Sequence, residues 1–179
     1  MKNRYFAGAL AAAILALILT SGAASAADTP DAWITMKTKV SLMTSDKVST
    51  SDLNVDTVNG VVTLHGKVAT EAEKAEAARI AGGIDGAKDV KNLLQVVPES
   101  KRAIVDRADA DIKEGVEAAF SANARVKDSG VKVASVNKGV VLLSGKAESM
   151  SAYLESVQVA DAVRGVRRVA TEVEVRPAN

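Results

Sequence analysis

The sequence has no cysteine, one histidine and few aromatic residues. Without cysteine there is no disulfide framework, no thiol nucleophile and no attachment point for a lipoprotein's lipid. A single histidine, His65, leaves no imidazole pair for a transition metal and little scope for general acid–base chemistry. Trp33, Phe120 and Tyr153, with Tyr5 and Phe6 near the start, are too few to build stacking platforms for bases or sugars. An excess of one charge is missing too: 23 basic residues face 22 acidic ones, for a net charge of +1. Bulk electrostatic capture of nucleic acid is therefore not expected. These absences together predict a protein that is not an enzyme, with no cofactor, no metal, no nucleic-acid partner and no small-molecule substrate.

A long apolar run is also missing. The stretch over 6–19 falls short of the roughly 20 residues a spanning helix needs, and small residues follow it at once. Lys2 and Arg4 before it and Ala24-Ser25-Ala26 after it read instead as a secretory signal peptide, 1–26, cleaved after Ala26. Cleavage would take the net charge from +1 to −1. The expected product is a soluble, monomeric periplasmic protein that is not a lipoprotein.

What is present is an internal repeat. Residues 31–98 match 109–177 nearly end to end, first at an offset of 78 and then, after one inserted residue read as Lys138, at 79. Asp31-Ala32 pairs with Asp109-Ala110, Val58-Asn59 with Val136-Asn137, Gly60-Val61-Val62 with Gly139-Val140-Val141, Gly66 with Gly145 and Gly86 with Gly165. Two copies are too few for a stacked solenoid, so two domains are expected: 27–98 and 109–179, joined by a linker or helix extension over 99–108.

Each copy changes its periodicity in the same order. A helix opens at Thr29-Pro30 and runs to about Met43, its counterpart carrying Ile112, Val116, Ala119 and Phe120. Alternation at period two follows, with Leu53, Val55 and Thr57 on one strand face, and Val131, Val133 and Ser135 in the second copy. Asn59-Gly60 is a tight hairpin turn, and the return strand ends near Gly66 or Gly145. Thr70 and Glu73 have capping-box spacing before a helix that buries Ala77, Ile80, Ala81 and Ile84, matched by Ser156, Val159, Ala160 and Val163. A last strand spans 90–97 and 169–175. A parallel crossover added to a hairpin gives an α+β fold, αββαβ twice: a three-stranded mixed sheet with two helices on one face and the other face partly wet. Ser100 is a candidate cap for a long first helix in the second copy.

The element order, the Asn-Gly-Val-Val-x-Leu-x-Gly signature over 59–66 and its counterpart ending at Gly145 resemble the BON domain. A signal peptide followed by two such domains is similar to the osmotically inducible periplasmic protein Y group. That resemblance implies a stress-response or envelope-maintenance protein that touches phospholipid membranes. The matched residues specify turns and cores and carry no chemistry.

Candidate contact residues lie elsewhere. Trp33, Met36, Val40 and Met43 are spaced as one stripe on the first helix and have no apolar counterparts in the second copy, where Asp111, Glu114, Ala118 and Ser121 stand. The stripe suits domain packing, or an exposed patch for phospholipid or an exported client protein. Arg164, Arg167 and Arg168, near the end of the last helix, offset its dipole or meet anionic headgroups. His65, matched by Ser144, reads as a solvated or hydrogen-bonded side chain on the outward face of its strand. Asp106, Asp109, Asp111, Glu114 and Glu117, among Lys101, Arg102, Arg107 and Lys113, read as a solvated helix face without calcium-loop spacing.

Overall fold

A computed structural model describes residues 30–177. The segment read as a signal peptide, its expected cleavage site and Thr29 lie outside the described residues. In chain order the elements are α1 (Asp31–Met43), β1 (Leu53–Val58), β2 (Val61–Val68), α2 (Glu71–Gly82), β3 (Asp89–Asn92) and β4 (Gln95–Val96). A 3-10 turn (Glu99–Lys101) leads into α3 (Arg102–Ala122), β5 (Val131–Asn137), β6 (Val140–Ala147), α4 (Met150–Asp161) and β7 (Arg168–Val175). This is αββαβ written twice. In each half the first two strands are antiparallel and the third runs parallel beside the second, giving the orders β1-β2-β3 and β5-β6-β7, with β4 continuing the line of β3 along β2.

The expected helix stripes fill two separate cores. Ile34 and Leu42 of α1 and Ala77 and Ala81 of α2 meet Val55, Val62 and Leu64. Val116 and Phe120 of α3 and Ala160 of α4 meet Val136, Val141 and Leu143. Alanine in the second helix of each half lets it sit close on its sheet. Both of these helices are capped by a hydroxyl: Thr70 Oγ1 accepts from the Glu73 N–H at 3.1 Å, and Ser149 Oγ from the Ala152 N–H at 3.2 Å. Pro30 precedes α1 instead of opening it, and Ser100 lies in the 3-10 turn without capping α3.

The inserted residue of the second half lies at Ala134, not at Lys138. Val133 pairs with Leu143 and Ser135 with the adjacent Leu142, so Ala134 is extruded as a β-bulge. Beyond it the alternation reverses: Val136 enters the core, and Ser135 turns to the face opposite Val131 and Val133. Lys138 takes the place of Asn59 in the hairpin turn, with φ of 50° against 53°. Gly66 and Gly145 do not end their strands. They sit inside β2 and β6 at φ of 119°, where an added Cβ would fall 1.9 Å from the Asp52 carbonyl oxygen and 2.2 Å from that of Gly130. The last strand of the first half is interrupted at Leu93 and Leu94, opposite His65 and Gly66.

The helix-free faces are wet only in part, with Asn54, Asp56, Lys91 and Lys132 exposed. Thr63, His65 and Lys67 of β2 and Val140 and Leu142 of β6 are buried although they point away from their own helices. The two sheets cover one another there.

Candidate functional site

Four exposed side chains share the outward face of α1: Trp33 (48% exposed), Met36, Val40 and Met43 (71% exposed). Ile34, Thr38 and Leu42 take the buried face of the same helix, so the apolar stripe is surplus to the core. None of the four belongs to either buried core. Lys37 places its ammonium 5.5 Å from the centre of the Trp33 ring, a cation–π contact that leaves the indole at the surface.

Arg164, Arg167 and Arg168 are exposed as well, but they do not finish a helix. α4 stops at Asp161 with no basic residue in its last turn, and Arg168 is the first residue of β7. Arg167 packs its stem against Gly139 and donates to the Lys138 carbonyl at 3.4 Å. The α1 stripe and the three arginines sit on different halves, with no hydrogen bond or ion pair between them.

The junction of the halves is polar. His65, 6% exposed, places Nε2 2.8 Å from Asp56 Oδ2 and Nδ1 2.9 Å from Ser135 Oγ, which also accepts from Asn137 Nδ2 at 3.1 Å. The hydrogen bond from His65 holds the Asp56 carboxyl below its usual range. An ionised carboxylate only accepts, so Nε2 carries a hydrogen, and whenever the ring is neutral Nδ1 accepts from the Ser135 hydroxyl. Aspartate, histidine and serine stand here in the order of a nucleophilic triad. Neither His65 nor Ser135, however, lines the interdomain clefts described below, and the row ties one half to the other.

Lys67 is a second tie. Its Nζ lies 2.8 Å from both Asp106 Oδ1 and Asp109 Oδ2. Burial works against the ammonium, but the hydrogen bonds to Asp106 and Asp109 prevail and raise its pKa above the ordinary lysine value. Asp109 and Arg102 are buried, so the expected solvated face of α3 is only partly solvated. Arg102 pairs with Asp52 and donates through Nε to the Val97 carbonyl at 3.2 Å, pinning the start of α3 to the first half.

Between the sheets, two adjoining clefts of about 730 and 340 Å3 share Thr63, Lys91, Thr171 and Glu172. Glu172 Oε1 is buried with no hydrogen-bond partner among the described residues. Burial raises its pKa, reinforced by the charge of Asp56 and opposed by Thr63, His65 and Lys91. Among the described residues no cluster of acidic or histidine side chains is fit to hold a metal ion, and no helix is long and apolar enough to cross a membrane.

A family model described as the BON domain matches residues 30–98 and again 108–177. The chain belongs to the BON-domain family. It is 31% identical to the osmotically-inducible protein Y of Escherichia coli (strain K12) over 147 residues, 82% of this chain and 73% of that protein. Identity to the outer membrane lipoprotein DolP of Haemophilus influenzae is also 31%, over 117 residues, and there the match spans 65% of this chain and 59% of DolP. A solved C-terminal domain of CdsD, a structural protein of the type III secretion system of Chlamydia trachomatis, covers 83% of this chain and 68% of its own at 14% identity, with a TM-score of 0.33 that carries no argument.

Both BON repeats contain a device that the periodicity did not reveal. Asp31 accepts the Asn59 and Gly60 N–H groups, each at 2.7 Å, and Asp109 accepts those of Lys138 and Gly139 at 2.8 and 2.9 Å. The first carboxylate of each BON repeat thus clamps its hairpin turn. The signal was present in the pairing of Asp31 with Asp109, which no core or cap required.

Proposed function

We propose that this BON-domain protein works in the bacterial envelope as a periplasmic, osmotic-stress-type protein that binds phospholipid surfaces reversibly and helps to maintain the envelope. The exposed α1 stripe carries the proposal. A tryptophan, two methionines and a valine on the solvent side of a helix whose other side already fills a core are apolar surface beyond the needs of the fold. Tryptophan suits the headgroup region, and Lys37 beside it suits an anionic one. Arg164, Arg167 and Arg168 would add about 1 kcal/mol each near an anionic surface, an attraction that salt screens. The name of the Escherichia coli relative, which refers to osmotic induction, and that of DolP, which refers to the outer membrane, support the setting.

Flotation with liposomes of anionic and of neutral phospholipid tests this reading. Association with anionic liposomes at low salt is expected, weakened in Trp33→Asp and in the triple Arg→Ala variant. If the protein floats with neither lipid at low salt, the membrane reading is wrong.

A further inference from the structure

We propose that the free edge of β7 is a strand-addition site for an extended polypeptide segment, a surface separate from the α1 stripe. In a parallel pair, every second residue turns both backbone groups toward its neighbour. The Arg176 N–H donates to the Ala147 carbonyl at 2.9 Å, which sets the phase. The N–H and C=O groups of Val169, Thr171, Val173 and Val175 therefore point away from β6. Among the described residues none of these groups has a hydrogen-bond partner.

The equivalent edge in the first BON repeat is partly closed. There the Leu93 and Val97 N–H groups donate to the Leu64 and Val68 carbonyls, so Val90, Asn92, Leu94 and Val96 point outward. Asp89 Oδ1 accepts from the Val90 N–H at 2.8 Å, Asn92 Oδ1 from the Leu94 N–H at 3.2 Å, and Lys138 Nζ donates to the Val96 carbonyl at 3.1 Å. Edge strands that lack such protection are templates for pairing. At the 79-residue offset Asp89 becomes Arg168, which cannot accept, and Asn92 becomes Thr171, whose hydroxyl is bound to Tyr153 at 3.1 Å. One repeat blunts its edge and the other leaves it bare.

The bare edge borders a groove. The two interdomain clefts together are lined by every residue over 168–177, and their walls include Val58, Val61, Leu93 and Leu142. When consecutive residues of a strand all line one cleft, its edge is presented, since a face would offer only alternate ones. Eight residues of β7 give roughly 26 Å of pairing length. The occupant is set by this chemistry: peptide backbone for the unmatched groups, alternating apolar side chains to continue the row of Val169, Val173 and Val175, an acidic residue at the Arg167 and Arg168 end, and a basic one opposite Glu172.

The probe is a fluorescent peptide, Asp-Val-Thr-Val-Lys-Val-Thr-Val, titrated into the protein, with amide hydrogen exchange read residue by residue. Binding is expected with new protection at Val169, Thr171, Val173 and Val175 and little change at Ala170 and Glu172, whose N–H groups already face β6. N-methylation of alternate peptide nitrogens, and Val173→Pro, which removes one outward donor, should each weaken binding by about tenfold or more. Should Val173→Pro fail to fold, the exchange pattern in the unmodified protein decides. Absence of binding, protection confined to other strands, or equal affinity for the N-methylated peptide overturns the proposal. So does a concentration-dependent dimer that protects the same amides without peptide, which would assign the edge to a second copy of this chain.

Discussion

A carboxylate that accepts two adjacent N–H groups satisfies a turn that has no other partner, and Asp31 and Asp109 each do so. Asp31→Ala leaves both donors of the Asn59 turn to water, at an expected cost of about 2 kcal/mol. Asp109→Ala should cost more, about 3 to 4 kcal/mol, because it also strips the buried Lys67 of one of its two carboxylates. Urea unfolding of the two variants side by side checks the order. Two other carboxyls titrate in opposite senses. Asp56, held below its usual pKa by His65, contributes stability that is full above the unfolded carboxylate range and drains as the pH falls through the lowered value. Glu172, raised by burial, costs stability above its raised pKa, a cost relieved as the pH falls and the group takes up a proton. Glu172→Gln should therefore raise stability at neutral pH by no more than about 1 kcal/mol, given partial solvent screening, with the gain gone in acid. Thermal melts at neutral and acidic pH distinguish this from a uniform shift.

At the scale of elements, the β-bulge in β5 shows what a repeat alignment can and cannot locate. Element order, the Thr70 cap and the buried stripes followed from spacing and residue type, because those rules are local. The insertion did not. Val136-Asn137 looked like Val58-Asn59, which drew the extra residue to Lys138, but the turn accepts lysine at positive φ and the β5–β6 register absorbs the surplus at Ala134. Deletion of Ala134 should keep every pairing with β6 and cost less than about 1.5 kcal/mol, whereas deletion of Lys138 removes a turn residue and should cost more than about 3 kcal/mol. Chemical denaturation of both deletions compares them. The candidate site was legible to a similar depth. The four α1 residues could be read as one stripe, yet their exposure depended on where the second half lies. The bare edge of β7 had no sequence signal, since it consists of backbone groups left over by capping side chains that only the first repeat possesses.

At the scale of the whole molecule, the two BON repeats keep separate cores, and their contact is largely polar, with Leu142, Val140 and Thr63 as its driest part. Interfaces of that kind permit relative motion unless specific ties prevent it. Ties through three buried side chains are present. Arg102 fixes α3 to Asp52 and Val97, the Asp56, His65 and Ser135 row crosses between sheets, and Lys67 reaches from β2 to Asp106 and Asp109 on α3. Lys67 has the most at stake, because the Asp109 it meets also clamps the hairpin of the second repeat. Lys67→Met keeps the buried stem while removing the charge, so Asp109 retains its two N–H donors but loses its cation. The expected loss is about 2 to 3 kcal/mol, and it should fall on coupling as well as on stability. A single urea transition in the parent protein should separate into two in Lys67→Met, each repeat then unfolding at its own midpoint. Because the tie is buried, raising the salt in the parent should not reproduce the separation. If Lys67→Met still unfolds in one step at a lower midpoint, the apolar patch around Leu142 joins the repeats, and the polar ties set only their orientation.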